Sequence, residues 1–377
     1  MQEFDVLIVG AGIAGASLAW RLAARRKVLL IEREAFPGMH STGRSAAMFM
    51  ESYGPPGVRA LTRASRAFYE HPPSGFCDTP LLSRRGALYV AMHGQEELLA
   101  DTARELTTHG GAIEQLDAAA TLARVPCLRP ELVHGALYEA AAEDIDVHVL
   151  HQGFLRGFKS QGGTLHTETQ VSTAAHNAGG WDIGLSSGDA IRTTVVVDAA
   201  GAWADEVAAL FATPAVGLVP RRRSAFTFKA PDGMDVASWP AVVGVDEGWY
   251  FKPDAGRLLG SPANADDTVP HDVMPEELDI AIGIDRLQTA TTLTIRRPER
   301  TWAGLRSFVS DGELVIGFDN HAPGFFWLAA QGGYGIQSAD GAAQLAASLV
   351  LGQPLPAHLQ QQGVQAAAMS PSRFQRA

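Results

Sequence analysis

Cysteine is scarce. Cys77 and Cys127 are the only two thiols in 377 residues, so no disulfide framework is possible and a reducing compartment is the simpler expectation. Both are expected to be ordinary core or surface thiols. Positive charge is also short: 30 Lys and Arg face 41 Asp and Glu, for a formal net charge of −11. Phosphate-backbone recognition needs a basic surface, so no nucleic-acid partner is expected. The knots Arg84-Arg85, Arg221-Arg222-Arg223 and Arg296-Arg297 read instead as ion pairs or ligand contacts. No apolar run reaches the ~18–20 residues that a membrane-spanning helix needs. No basic-then-apolar leader opens the sequence. A cytoplasmic protein is expected, at most peripheral to the inner membrane. Internal repeats and a Gly-x-Ser-x-Gly nucleophile turn are also missing. His148 and His151 stand three apart on a predicted helix with no acid or thiol to complete a set, so no metal is expected and both histidines read as solvated or packed.

Glycine, by contrast, is plentiful at 39 residues. Its most informative cluster is Gly10-Ala11-Gly12-Ile13-Ala14-Gly15. An apolar run, Phe4 to Val9, precedes it and predicts a buried strand. An Ala/Leu-rich helix from Ala16 to Ala24 follows, and Val28 to Ile31 predicts a second buried strand that ends at Glu32. In such a unit the first glycine permits a tight turn, the second a close approach of backbone to pyrophosphate, and the third close packing of helix on strand. The phosphates then face the positive end of the helix. Glu32 stands where a carboxylate can accept ribose hydroxyls, which disfavours a 2′-phosphate. A dinucleotide other than NADP is therefore expected.

Further helices are predicted over Val58 to Glu70, Gly94 to Thr108, Asp146 to Lys159 (with Asp146 as N-cap), Pro275 to Thr289 with proline in its first turn, and from Gly335 onward. Strands are predicted at Thr193 to Val197, Leu314 to Gly317 and Phe325 to Ala329. Between Arg221 and Gly260 the runs SAFTF, GWYFK and RLLG suggest a separate layer of strands. The segment after Leu355 reads as a polar, peripheral tail. A chain of this length allows about two domains at ~150 residues each.

The run Val195-Val196-Val197-Asp198-Ala199-Ala200-Gly201-Ala202-Trp203 resembles a segment of flavoproteins with two dinucleotide-binding-domain motifs. So does Gly312 to Gly317 with the later turn Gln331-Gly332-Gly333-Tyr334-Gly335. Glu32-Arg33-Glu34 and His40 to Ala47 then resemble the D-amino-acid oxidase-like flavoenzymes, which include glycine and sarcosine oxidases. Within that family the likeness is greatest to the D-arginine dehydrogenases. It runs through Arg222 to Phe226, Gly260 to Asp266, Trp302 to Phe308 and Ala330 to Gly335.

The resemblance implies an α/β fold: a Rossmann-like FAD-binding domain (1–83, 143–219 and 303–377) with an inserted α+β substrate domain on a mainly antiparallel sheet (84–142 and 220–302). It implies a non-covalent FAD. Ser41, Thr42, Arg44, Ser45 and Ala46 would contact it through the loop after Glu32. Val171 would reach the adenine, and Gly333 to Gln337, including Ile336, the isoalloxazine. Arg33, Ala47, Ala200, Gly201, Trp203, Gly332 and Arg306 complete the expected cofactor set. The last helix would turn its positive end toward the flavin pyrimidine. The implied reaction oxidises a D-amino acid to the imino acid, then to a 2-oxo acid and ammonia, by hydride transfer from Cα to flavin N5.

An amino acid brings a carboxylate, and a guanidinium grips it bidentately. Arg223 and Arg306 are the candidates, with Tyr250 as a third donor and Tyr53, Tyr334 and Gly333 nearby. No obligatory side-chain base is expected, because desolvation beside cations favours the neutral amine. Two positions depart from the D-arginine dehydrogenase pattern: Met48 replaces a His, and Ala87 a Glu. Losing that Glu removes a contact worth ~1.5–3 kcal/mol to a cationic side chain, so neutral or apolar D-amino acids are expected over basic ones. A 2-hydroxy acid, a sarcosine-like amine, an imino acid, or a non-catalytic flavin protein are the alternatives. A quinone or another carrier is the expected electron acceptor.

Overall fold

A computed structural model describes residues 1–108 and 112–374. The strand Gln2–Val9 lies at the centre of its first sheet because its inner half, Val6 to Val9, is buried throughout, as a strand covered on both faces must be. It pairs in parallel with Val28–Ile31 on one side and Ala190–Asp198 on the other. Thr164–His166 and Phe325–Ala329 extend this parallel core outward. Val171–Asn177 and Gly180–Leu185 form an antiparallel extension, and Val315–Phe318 runs antiparallel to Phe325–Ala329. The helix Ile13–Ala23 packs against Val147–Ser160 and Ala339–Val350 on one face. The other face carries a second core that includes Trp181, Phe211, Phe325 and Trp327. Three strands end together at Val9, Ile31 and Asp198, and a crevice at the carboxyl ends of parallel strands is where such sheets take ligands.

The second sheet has nine strands and is antiparallel, save where Ala241–Gly244 runs parallel to Ala87–Met92. The helix Glu277–Ala290 packs on it over a core of Phe226, Phe251, Leu258 and Leu287. A small third sheet joins Met48–Phe49, Glu143–Ile145 and Leu82–Arg84.

Several elements differ from expectation. The strand Arg300–Phe308 was not foreseen. It pairs along its length with Val219–Lys229, and the expected boundary at 303 falls inside it. Helix Glu277–Ala290 leaves Pro275 two residues before its first turn. The last long helix begins at Ala339 rather than Gly335, because Tyr334 to Ser338 form turns bonded Tyr334 N–H to Gln331 O and Ser338 N–H to Tyr334 O. The segment after Leu355 is not peripheral throughout: Leu359, Val364 and Met369 are buried in the core to which the helices Ile13–Ala23 and Pro56–Glu70 also contribute. Asp146 is the expected cap, its carboxylate accepting Val149 N–H at 2.9 Å.

Candidate functional site

Gly10 follows the central strand at φ +99°, and a Cβ there would lie 2.5 Å from Ala199 O. Only glycine fits, so the backbone can turn beneath a ligand. A Cβ on Gly15 would overlap Gly10 O at 1.9 Å; this third glycine serves helix-on-strand packing and does not line the cleft. The amide of Ile13 is already bound to Thr42 Oγ1 at 3.0 Å. The neighbouring first-turn amide of Ala14, a residue that lines the cleft, precedes the first intrahelical bond, Ala16 N–H to Gly12 O, so a phosphate can take it. Glu32 is 7% exposed. Its two oxygens accept Ala11 N–H and Glu34 N–H, each at 3.0 Å, which fixes the carboxylate and leaves lone pairs for ribose hydroxyls.

The cleft beyond measures ≈ 420 Å³ and is lined by Gly12, Ile13, Ala14, Arg33, Ser41, Thr42, Arg44, Ser45, Ala46, Val171, Ala200, Gly201, Trp203, Arg306, Gly332, Gly333, Gly335 and Ile336, among others. Arg33 stacks on Trp203 at 4.5 Å. Arg44 is bound inward, to Val273 O at 2.8 Å, Ala303 O at 3.0 Å and Asp272; it ties the loop after Glu32 to the second sheet. Asp198 accepts Ala200 N–H at 3.1 Å and holds the Ala199–Gly201 turn. The shape, the glycine turn and the fixed acid fit a dinucleotide. Besides Gly15, three expected cofactor residues fall outside the cleft. Ala47 and Gln337 line an adjoining cavity, and Tyr334 lines neither space, packing edge-on against Tyr53 at 4.9 Å. His151, the partner in the His148 spacing, is buried with Nε2 2.8 Å from Ala11 O. Burial lowers its pKa, so the neutral ring donates to the glycine turn.

The adjoining cavity, ≈ 110 Å³, shares Ser45, Ala46, Arg223, Tyr250, Arg306, Gly333 and Ile336 with the cleft. Alternation along Val219–Lys229 sets Arg222 on the face opposite Arg221 and Arg223. Arg221 pairs with Asp267, and Arg222 with Asp266, Glu276 and Asp279. Arg223 forms no ion pair among the described residues; its Nε donates to Asn264 O at 2.5 Å. Arg306, on the neighbouring strand, donates to Tyr53 OH at 3.3 Å. A Cβ on Gly333 would stand 2.8 Å from Arg306 Nη1, so glycine makes room for that guanidinium. Burial, then the nearby Arg306, lowers the Arg223 pKa. Burial also works against Arg306, but Tyr53 and Tyr250 outweigh it and its pKa is raised. Two cations side by side without a carboxylate form an anion site.

Met48 and Tyr53 line this cavity, and so do Met50, Tyr89, Ala241, Val243, Glu247, Lys252 and Ala263, which sequence reasoning did not name. Ala87 does not line it. Its exposure is zero, and it packs on the Tyr89 side of its strand with Met50 and Leu137, so a ligand in this cavity has no atom of Ala87 to touch. Lys252 is bound to Asp144 at 2.6 Å. Glu247 is exposed, on a turn at φ +52°. No local sequence signal separates these residues from core or loop.

The fold and cleft define a dinucleotide-binding protein. More particularly, the chain matches the DAO family model, FAD dependent oxidoreductase, over residues 5–349, and it belongs to that family; FAD is its cofactor. An opine oxidase subunit from Agrobacterium tumefaciens (strain Ach5) is 26% identical over 349 residues, 88% of this chain and 90% of that protein. The crystal structure of glycine oxidase from Geobacillus kaustophilus superposes with a TM-score of 0.84 at 22% identity, covering 99% of both chains. That of L-proline dehydrogenase from P. horikoshii gives 0.83 at 20%, covering 99% and 98%. These two likenesses establish the fold. None of the three relatives is a D-arginine dehydrogenase, so the family is established and that finer likeness is not.

Proposed function

We propose that the chain oxidises the carbon–nitrogen bond of a small amine carboxylate, and that neutral or apolar D-amino acids are its preferred substrates. The observation that carries this reading is the pair Arg223 and Arg306, cationic, unpaired with any carboxylate among the described residues, and set where the nucleotide cleft meets a smaller cavity. FAD, when bound, supplies a two-electron acceptor. Arg306 and Arg223 grip the substrate carboxylate, Tyr250 adds a donor, and Tyr53 steadies Arg306. The same cations favour loss of the ammonium proton, leaving the nitrogen lone pair to drive oxidation. Met48, Met50, Tyr89 and Val243 form a wall suited to an apolar side chain. The released imine hydrolyses in water. A quinone or a protein carrier then takes the electrons.

A second reading rests on there being two free guanidiniums: each could hold one carboxylate of an opine-type amine, the substrate named for the Agrobacterium relative. Anaerobic photometry decides. Mixed with D-alanine, L-alanine, glycine, sarcosine, D-arginine and an opine, the protein should lose its flavin absorption fastest with D-alanine. Faster bleaching by the opine supports the second reading. No bleaching with any of them overturns both and leaves a flavin protein without this activity.

A further inference from the structure

Three metal-ligating side chains converge outside both cavities. His93 follows the strand Ala87–Met92, Glu96 opens the helix Glu96–Thr108, and His134 lies on Val133–Glu139. Their ligand atoms lie within 4.8 Å of one another. His93 Nδ1 and His134 Nδ1 stand 3.9 and 3.7 Å from the same Glu96 oxygen. Both separations are too long for hydrogen bonds, so no direct bond holds the trio together.

The backbone aims these side chains. Ala91 pairs with Gly135 and Met92 with Val133, so His134 is the extra residue of a bulge, a device that redirects a side chain. His93 N–H is bound to Leu132 O at 2.8 Å, which fixes the second imidazole beside the first, ring centroids 6.1 Å apart. Glu96 Oε1 accepts Gly94 N–H at 3.0 Å, the kind of outer contact that orients a ligating carboxylate. Tetrahedral ligands at bonds of ~2.0–2.1 Å sit roughly 3.4 Å apart, so small rotations of these solvent-facing side chains would close the set. The positive end of the helix opposes a cation, but Glu96 and Glu97 both stand in its first turn. Two imidazoles and a carboxylate suit zinc and its neighbours over magnesium or calcium.

We infer that His93, Glu96 and His134 bind one divalent cation of the zinc class, with water completing the shell. Gln95, between two of these ligands, accepts Met92 N–H at 2.8 Å and donates to Asp246 at 3.3 Å. Val245 N–H is bound to Val90 O at 2.9 Å. The ion therefore fastens a loop tied to the turn that carries Glu247 and Tyr250 into the substrate cavity.

Isothermal titration of Zn²⁺ into tag-free, chelator-treated holoenzyme should give one saturable site per chain, weakened at least tenfold in His93→Ala and His134→Ala. The exposed His358→Ala should bind as the parent does. Flavin absorption should be unchanged in all variants, which reports that they remain folded. Hydrogen exchange with and without Zn²⁺ should slow over 92–97 and 244–250, and only where His134 is present. Absence of saturable binding, or equal binding in the His93→Ala/His134→Ala double variant, overturns the site. Unchanged exchange over 244–250 overturns the link to the turn.

Discussion

Arg222 and Arg223 are adjacent, yet they serve different ends. Arg222 is held by three carboxylates, one of which, Asp279, also accepts from Ser224 Oγ and Asn264 Nδ2. Arg222→Gln leaves Asp279 largely buried without its cation. It should cost about 3 kcal/mol of stability, the low end for breaking a buried pair, with little change in KM; denaturant unfolding and steady-state rates together check this. Arg306→Lys should do the reverse. It keeps the charge but loses the planar fork, and a charge-assisted contact of ~1.5–3 kcal/mol corresponds to a fall of roughly tenfold to a hundredfold in kcat/KM, read in a KM rise with the melting temperature kept. The triplet was visible in the sequence and Arg223 was its candidate, but no local pattern shows why Arg223 rather than its neighbours stays free of a carboxylate. That depends on Asp266, Asp267 and Asp279 arriving from 44 to 57 residues away.

The strand–turn–helix at the amino end was the most legible element, because its chemistry is local: a strand, a turn only glycine permits, and an acid at the end of the next strand. Gly10→Ala should abolish it. The new Cβ meets Ala199 O at 2.5 Å in a backbone region that L-residues avoid, so the purified variant should carry less than a tenth of the flavin of the parent, measured as the ratio of flavin to protein absorbance. His151 was read only as solvated or packed; its bond to Ala11 O joins elements 140 residues apart, beyond any local pattern. Its depressed pKa has a consequence for stability. Above the ordinary histidine pKa of ~6.5, the ring is neutral in both folded and unfolded chains, and the full stability is present. As pH falls below that value the unfolded chain takes up the proton first, so stability declines until the folded ring also titrates. The melting temperature of the holoenzyme should therefore drop between pH 7 and pH 5.5, and His151→Gln, which can still donate to Ala11 O, should flatten that part of the curve. The strand Arg300–Phe308 escaped notice for another reason. Its alternation is marked by Ala303, Leu305 and Ser307 inward, small and mixed residues that carry little hydrophobic contrast.

At the scale of the whole molecule, the cavity we propose for substrate is lined from the second sheet, the Met48–Phe49 segment and the turn after Phe325–Ala329, so its wall could not be read from any one segment. Ala87 illustrates this. The family resemblance placed it against substrate, whereas its strand buries it beside Met50 and leaves Tyr89, two residues on, as the lining side chain. The charge balance of the wall still argues against basic substrates. Lys252 is neutralised by Asp144, and Arg223 and Arg306, both lining the cavity, repel a cationic group. Glu247 is the only acid among the described lining residues, and it sits exposed, where water and salt screen its attraction to about a Debye length. An exposed carboxylate contributes about 0–1 kcal/mol to such a pair, less than the ~1.5–3 kcal/mol of a charge-assisted bond in a closed pocket. Across a panel of D-amino acids, kcat/KM should therefore be at least tenfold higher for D-alanine, D-valine or D-methionine than for D-arginine or D-lysine, and Glu247→Gln should change the D-arginine value by less than tenfold. If D-arginine proves the best substrate and Glu247→Gln abolishes that preference, the solvated turn closes over the substrate and the neutral-substrate reading fails.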